Sequence, residues 1–505
     1  MPVFDLNQLR LIAPELVLCL GACLLLALSV LGEEGRRMCQ PMAILCCLVT
    51  LADVISWPMV HGFEWLRSLD DTVAFGGMFV LDPFAIFFKI LFLVSAILTI
   101  SISGRFLEEE KSPGGEYYAL ILFAVVGMML VASAGDFLTL FLALETMALA
   151  FYPLVGYFKA DRRSNEAALK YFLLGSFSTG ILLYGISLVY AMTSTTYFEL
   201  IGMSRSLTAL EPDRQPYFLL GVILVTVGLG FKIAVVPFHM WAPDAYEGAP
   251  TPITAFLSTA SSAAGFVALL RVDVLAFARL GPRWALLVAI LAVASMTLGN
   301  VAAIVQDNIK RMLAYSSIAH AGYALIGLIA IGYAGDLATR EWGLQAVILY
   351  LAVYTFMNLG AFTLVTILRR HGIVGDQVAD FAGLGRRAPW AAFAMLVFML
   401  SLAGIPATAG FVGKWYLFGA AIKAGYAWLA VVAVLNSVVS LAYYARVVVM
   451  MYMREPAGEA AVSPSFGQRF ALAACILFTV GFGVYPQPLV EFARRSIIAI
   501  TPWSF

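Results

Sequence analysis

Long uninterrupted apolar runs constrain this chain more than any other feature. A hydropathy window of about 19 residues finds about fourteen of them, and most reach the roughly 20 residues that an α-helix needs to cross hydrocarbon. The chain is 62% hydrophobic and only 12% charged, and its mean hydropathy is +0.91. The runs lie near residues 11–31, 41–60, 83–103, 117–134, 137–158, 166–192, 216–240, 251–278, 284–305, 313–333, 342–368, 390–422, 427–453 and 466–488. The sequence therefore predicts an all-α polytopic membrane protein of about fourteen helices.

The pattern inside these runs argues against several other classes of protein. Because the apolar stretches are continuous rather than alternating, they do not fit a transmembrane β-barrel. The 31 basic and 31 acidic residues balance, so no net charge favours nucleic acid as a partner. The six cysteines fall mostly inside apolar runs and form no CxxC pair, so they indicate packing positions, and no metal site is predicted. The first run lacks a basic leader and a clear cleavage site, which predicts a membrane helix rather than a signal peptide.

Ionisable side chains at membrane depth are the candidates for chemistry, and Glu145 is the clearest of them. At 1.5 Å per residue it lies roughly 14 Å along its helix from Asp136, near the bilayer centre. A carboxylate at that depth has to be neutral, paired or hydrated, which makes it a candidate proton carrier. The alternative is a protonated glutamate that only makes a hydrogen bond between helices.

Two lysines are expected at breaks in membrane helices. Pro237 follows Lys232, and its missing N–H and its clash with an earlier carbonyl predict a break next to the lysine. Lys414 follows three glycines and a proline inside an apolar run that is too long for one straight crossing. Broken helices are tolerated in membranes where they line a hydrated cavity. The alternatives are a Lys232 that reaches the membrane surface beside a simple kink, and glycines that serve only helix packing.

His320 and Lys170 complete the set of candidate residues. His320 stands among hydroxyl and small side chains and can relay protons at neutral pH, although a structural histidine is an equal alternative. Lys170 is a weaker candidate because it lies near the start of its helix and can reach the interface. Three further charges, Glu199, Asp307 and Lys310, are expected to be solvated in loops.

The candidates also suggest an internal repeat. Glu145 precedes Lys232 by nearly the same interval as His320 precedes Lys414. Paired broken helices are typical of two inverted repeats with a site at the membrane midplane. The two motifs do not superimpose literally, because the proline follows Lys232 in one and precedes Lys414 in the other.

From about residue 80 to 455, the chain resembles the antiporter-like membrane subunits of respiratory complex I, and among them the subunit N group. The resemblance implies fourteen helices in two inverted five-helix repeats, within an assembly that oxidises NADH, reduces quinone and moves protons outward. NADH, FMN, iron–sulfur clusters and quinone would belong to the wider complex, and this chain would bind no cofactor and hold no redox centre. The matching stretches are residues 135–145, 170–178, 232–252, 308–320 and 404–414.

Residue by residue, the resemblance assigns proton translocation to five positions. Glu145 matches the acidic partner on the fifth helix, and Lys232 and Lys414 match the lysines on the broken seventh and twelfth helices. Lys170 and His320 match auxiliary relay positions. The chain departs from the family at Ser262, where a lysine usually stands on the eighth helix. A hydroxyl and waters are therefore expected to bridge that gap.

The hypothesis is mutual control of charge within the Glu145 and Lys232 pair. Burial disfavours a charged lysine and a nearby carboxylate favours it, so moving the two groups together or apart would load or release a proton. Lys414 would act on the exit side, with His320 between the two lysines. Two alternatives remain: a subunit of a multi-subunit sodium/proton antiporter, and a scaffold that no longer conducts.

Four segments, a location and partners follow from this interpretation. Residues 1–115 are expected to hold the first three helices, 116–280 and 281–455 the two five-helix repeats, and 456–505 a last membrane helix. The location is the bacterial cell inner membrane, with multiple crossings. The partners are the lipid bilayer, protons, and the other membrane and peripheral subunits of complex I.

Overall fold

The computed structural model describes residues 6–65, 72–112, 114–203, 215–277, 282–333, 336–369, 375–455 and 464–497. Within these ranges, 13 helices are long and apolar enough to cross a membrane, and a pair of shorter helices makes a fourteenth crossing. The predicted all-α polytopic fold is confirmed. The crossings are α1 (Ala13–Val30), α2 (Glu33–Trp65), α3 (Pro83–Glu109), α4 (Gly115–Ser133), α5 (Phe137–Val155), α6 (Arg162–Thr193), α7a (Gln215–Lys232) with α7b (Trp241–Gly248), α8 (Thr251–Ala276), α9 (Pro282–Ile304), α10 (Ile309–Tyr333), α11 (Leu337–Leu368), α12a (Pro389–Ala403) with α12b (Ala409–Lys423), α13 (Ala427–Met453) and α14 (Phe466–Val484).

The remaining elements are short and lie between or beyond the crossings. A two-stranded hairpin pairs β1 (Val73–Ala74) with β2 (Phe79–Val80) in antiparallel register before α3. Short helices cover Leu6–Leu11, Phe198–Met203, Leu384–Arg387 and Gln487–Ile497, and 3-10 turns cover Phe75–Gly77 and Val378–Phe381. The described chain therefore spends little length outside the crossings.

Matching backbone contacts at the starts of α5 and α10 support two inverted repeats. The Phe137 amide donates to the Thr196 carbonyl at 3.0 Å, and the Ile309 amide donates to the Asp376 carbonyl at 2.7 Å. Each helix is also capped by the side chain just before it, Asp136 or Asn308, which accepts from two backbone amides of the first turn. Because α5 is an odd crossing and α10 an even one, these equivalent starts lie on opposite faces of the membrane.

Both predicted breaks are present, and both contain an alanine with positive φ. Ala234 has φ 54° between α7a and α7b, and Ala407 has φ 69° between α12a and α12b. Such a conformation costs an L-residue roughly 1–2 kcal/mol, so the surrounding packing has to hold each break in place. The break in α7 lies next to the lysine, since regular helix stops at Lys232 and resumes at Trp241.

The centre of the bundle is formed by α3, α8, α10 and α11. Their most apolar stretches are 83–94% buried inside the protein, whereas those of α1, α2 and α14 are about one-third buried or less. α4 begins at Gly115, and the division of the chain into four segments stays a prediction. The boundaries after residues 280 and 455 touch positions 278–281 and 456–463, which lie outside the described residues.

Candidate functional site

Glu145 and Lys232 form an ion pair between α5 and the end of α7a. The Lys232 Nζ lies 3.6 Å from the Glu145 Oε1, and Thr179 of α6 donates its hydroxyl to the same carboxylate oxygen at 2.7 Å. The lysine side chain is buried, and the glutamate side chain keeps 24% of its surface exposed. A buried ammonium is therefore compensated by a carboxylate that still has an accessible edge.

The break in α7 is fixed by side chains that use the freed backbone groups. The Trp241 indole donates to the Phe231 carbonyl at 2.9 Å, and the Val236 amide donates to the Ser295 hydroxyl of α9 at 3.0 Å. Backbone polar groups without partners are costly in hydrocarbon, so these bonds make the irregular segment tolerable. They also fix α7b relative to Lys232.

Three basic residues hold α7b from outside. Lys310 donates to the Glu247 carbonyl at 2.6 Å and to the Ala249 carbonyl at 2.8 Å, where a positive charge complements the end of a helix. Lys170 and Arg311 both bind the Asp244 carboxylate, at 2.8 and 2.6 Å. α7b is therefore tied by charge to α6 and to α10.

Two of these positions correct or refine the expectations from sequence. Lys310 is 1% exposed, so the prediction of a solvated loop charge was wrong; it was made because the residue follows a gap in the apolar pattern. Lys170 is 45% exposed and also pairs with Glu166, which places it in a charged surface cavity of about 240 Å³ rather than beside Glu145.

Glu199 is half-buried rather than solvated, and burial raises its pKa while Arg271 opposes the shift. Asp307 is exposed, as expected.

His320 lies in the second half of the bundle, among tyrosines rather than near a carboxylate. Its Nδ1 is 2.5 Å from the Tyr350 hydroxyl, and its Nε2 is 3.2 Å from the Tyr444 hydroxyl. The Tyr444 hydroxyl in turn lies 2.5 Å from the Ser316 hydroxyl. The histidine is 2% exposed and both ring nitrogens have hydroxyl partners, so it occupies the middle of a hydrogen-bonded network.

Lys414 bridges the two halves of α12. Its ammonium on α12b donates to the carbonyls of Leu402 and Ala403 at the end of α12a, both at 3.0 Å, and to the Ser437 hydroxyl of α13 at 2.8 Å. The same ammonium lies 4.8 Å from the centre of the Tyr323 ring. The first lysine is thus compensated by a carboxylate, and the second by a helix C-terminus.

Lys414 also borders a large apolar cavity. The cavity measures about 830 Å³ and is lined by α12b and α13, with Lys414 and Ser437 as its polar members. Its remaining walls are alanines, aromatic rings and branched aliphatic side chains, including Trp415 and Val438. The second lysine therefore faces a space between two helices as well as the buried network.

A second group of buried charges, in the N-terminal part, was not predicted. Glu15 of α1 and Lys89 of α3 form an ion pair at 2.7 Å, with side chains 3% and 0% exposed. Asp82, the cap of α3, binds the Arg271 guanidinium through two bonds of 3.0 and 2.9 Å, and Arg271 also donates to the Ala132 carbonyl. These contacts join α1 and α3 to α4 and α8. The sequence signal that could have identified these residues is the same as for Glu145: a charged residue inside an apolar run.

The candidate residues thus form separate groups. Glu145 and Lys232 are in direct contact, His320 belongs to a tyrosine network, Lys414 closes the break in α12, and Lys170 lies at the surface. Among the described residues, no group of three or more His, Cys, Asp and Glu side chains is arranged to hold a metal ion. What the groups have in common is that each contains carboxylate, amine, imidazole or hydroxyl groups, which are able to exchange protons.

Comparisons with known proteins agree with this arrangement. Residues 134–440 match the family model described as NADH:quinone oxidoreductase/Mrp antiporter, TM. The chain is 44% identical over 490 residues to NADH-quinone oxidoreductase subunit N 2 of Solibacter usitatus, covering 96% of this chain and 97% of that protein. It is similar to a chain of respiratory complex I from Thermus thermophilus with bound aureothin, with a TM-score of 0.77, 32% identity and coverage of 95% and 98%. A chain of the Mrp complex from a Dietzia species shares the fold, with a TM-score of 0.81, 20% identity and coverage of 99% and 98%.

Proposed function

Because the chain belongs to the NADH:quinone oxidoreductase/Mrp antiporter family, we propose that Glu145 and Lys232 load and release protons in a subunit N of NADH-quinone oxidoreductase. The chain is a multi-pass protein of the bacterial inner membrane and a proton-translocating membrane subunit of that complex. The observation that carries the proposed site is the buried 3.6 Å pair at the end of α7a. The resemblance that the sequence suggests and the family to which the chain belongs are therefore the same.

The pair can work as a switch because its energy depends strongly on separation. At 3.6 Å the attraction between the two charges is on the order of 5 kcal/mol for an effective dielectric constant of about 20. A change of about 1.4 kcal/mol alters a protonation equilibrium tenfold. Separating the two groups therefore moves the protonation equilibrium of Lys232 toward the neutral amine by orders of magnitude. Thr179 steadies the carboxylate by donating its hydroxyl to it, and the Glu145 side chain stays 24% exposed at the surface of this chain.

The second half would receive the proton through His320 and pass it to Lys414. His320 connects two tyrosine hydroxyls, which suits an imidazole that takes a proton on one nitrogen and gives one from the other. Lys414 is the next basic group and borders the cavity between α12b and α13. We assign Lys170 a supporting part, since its bond to Asp244 fixes α7b and so the position of Lys232.

The subunit would take part in catalysis only as a member of its complex. NADH oxidation and quinone reduction would use NADH, FMN, iron–sulfur clusters and quinone on other subunits, and this chain would couple that reaction to proton movement. Its partners would be the other membrane and peripheral subunits and the surrounding lipid. The segments 116–280 and 281–455 would each supply one half of the proton path.

The test is proton pumping by inverted membrane vesicles that contain the whole complex with Lys232→Ala, with NADH–quinone turnover followed in parallel. Lys159→Ala is the matched control, because Lys159 is an exposed lysine in the turn between α5 and α6. We expect loss of pumping and slower turnover for Lys232→Ala and neither effect for Lys159→Ala. Normal pumping and normal turnover in Lys232→Ala would refute the proposed site.

The alternatives make different predictions in the same vesicles. A sodium/proton antiporter subunit would move protons in response to a sodium gradient without NADH or quinone, and the likeness to the Mrp complex extends only to the fold. A non-conducting scaffold would tolerate Lys232→Ala provided that the complex still assembles. The intact pair of Glu145 and Lys232 favours a conducting subunit.

A further inference from the structure

The eighth helix comes close to the Lys232 backbone at Gly265. A Cβ added to Gly265 would meet the side chain of Ile233 at 2.6 Å and the Lys232 backbone at 3.3 Å, so α8 packs directly against the end of α7a. Ser262 lies one helical turn before Gly265 and therefore on the same face of α8. A hydroxyl side chain therefore stands on the face of α8 that packs against the end of α7a.

Tyr246 of α7b fills the space between α8 and α10. Its hydroxyl lies 3.4 Å from the Ser317 hydroxyl of α10 and faces Ser262 of α8, whose own hydroxyl donates to the Leu257 carbonyl at 3.3 Å. The tyrosine is 1% exposed, and its ring packs against Trp241 and Phe362. One buried hydroxyl therefore faces both the helix that packs on Lys232 and the helix that carries His320.

The hydroxyl chain continues beyond Ser317 toward His320. Ser317 lies near the Tyr354 hydroxyl of α11, and the Tyr354 ring lies 5.0 Å from the His320 ring, centre to centre. The Asn358 amide donates to the Tyr354 hydroxyl and to the Ser258 hydroxyl of α8, both at 2.9 Å. Tyr354 is thus held in place from two sides, at the edge of the histidine network.

We propose that the Tyr246 hydroxyl is the proton relay between the two halves of this subunit. The relay rests on the proposed function, because it carries the proton that the Glu145 and Lys232 pair releases. A proton from the Ser262 side binds the Tyr246 oxygen while the original Tyr246 proton leaves for Ser317. One O–H bond forms and one breaks, so the tyrosine is unchanged once its hydroxyl has turned back.

The long contact between the Tyr246 and Ser317 hydroxyls also gives the relay a control point. A hydroxyl pair transfers a proton easily at about 2.5–3.0 Å, so the 3.4 Å gap between Tyr246 and Ser317 has to shorten before transfer. Tyr246 lies on α7b, whose position is set by Lys310 at one end and by the ion pairs of Asp244. A small shift of α7b therefore opens or closes the path.

The experiment uses Tyr246→Phe in the assembled complex, in inverted membrane vesicles that are driven by NADH. The substitution keeps the ring and removes only the hydroxyl, and we expect proton pumping to fall at least tenfold. Tyr117→Phe is the control: Tyr117 is equally buried and its hydroxyl contacts Ser103 at 3.0 Å, but it lies away from this chain of hydroxyls, between α3 and α4. Pumping in the control should match that of the unmodified complex.

Rescue separates a relay from a packing role. Adding Ser262→Lys to Tyr246→Phe supplies an ammonium at the bridging position, and we expect it to restore pumping. Normal pumping in Tyr246→Phe, or a loss that Ser262→Lys does not restore, would overturn the relay. If Tyr246→Phe prevents assembly, Ser317→Ala interrupts the same path and is judged by the same rescue.

The outcomes also distinguish the relay from the function on which it rests. Loss of pumping in Lys232→Ala with normal pumping in Tyr246→Phe would keep the proposed function and discard the relay. Normal pumping in both variants would discard both.

Discussion

Removing one partner of the ion pair between Glu15 and Lys89 should destabilise the fold far more than removing both. The two side chains are 2.7 Å apart and at most 3% exposed, so water screens them little. Their attraction is about 6 kcal/mol for an effective dielectric constant of about 20, and it is largely offset by the several kcal/mol that each ion loses on leaving water. The net value of the pair is therefore small, but each charge alone is costly.

We expect Glu15→Met and Lys89→Met each to lower the free energy of unfolding by about 3–5 kcal/mol, because each leaves an uncompensated buried charge. The double variant should lie close to the unmodified protein, since two methionines fill a similar volume without charge. The assay is reversible unfolding of the purified chain in detergent micelles, followed by tryptophan fluorescence. If the loss in the double variant equals the two single losses added together, the buried pair is not what couples α1 to α3.

Three further predictions address other contacts. Lys310→Met should lower the free energy of unfolding by about 2 kcal/mol or more, because it leaves the Glu247 and Ala249 carbonyls without a donor; the measurement is unfolding in micelles, with Lys159→Met as control. Gly404→Ala should reduce both pumping and thermal stability, since its φ is +87° and the added Cβ would lie 2.9 Å from the Lys414 side chain; unchanged values for both would contradict this account. Glu199→Gln should stabilise the protein near pH 8 and have little effect near pH 4, because burial raises the pKa of this carboxyl, so that ionisation at higher pH costs stability in the folded state; equal effects at the two pH values would contradict it.

The sequence predicts the crossings well because hydrocarbon imposes a simple rule on each segment separately. Continuous apolar runs need helices, and a proline or several glycines in an overlong run need a break, whatever the rest of the chain does. The same local rule finds Glu145, which lies far from both ends of its run. Its contact with Lys232 is a further step that came from the resemblance, since neither run specifies which helices are neighbours.

The contacts that sequence did not predict depend on helices distant in the chain. Glu15 and Lys89 lie in separate apolar runs, and only the packing of α1 against α3 brings the two side chains together. The Tyr246 hydroxyl likewise reaches Ser317 only because α10 packs beside α7b. Lys310 looked solvated because α7b, which covers it, comes from an irregular segment that no periodicity describes.

The three hydrogen bonds that Lys414 donates depend on how many protons its nitrogen carries. An ammonium has three N–H donors, and here they meet three acceptors: the carbonyls of Leu402 and Ala403 and the hydroxyl of Ser437. A neutral amine has two donors and a lone pair. When the proton departs, either one of the three contacts is lost, or the Ser437 hydroxyl turns to donate to the nitrogen and gives up its present bond of 2.9 Å to the Ala403 carbonyl. Two of those oxygens end α12a and the third belongs to α13. The protonation state of the Lys414 nitrogen therefore determines how firmly α12a, α12b and α13 are joined.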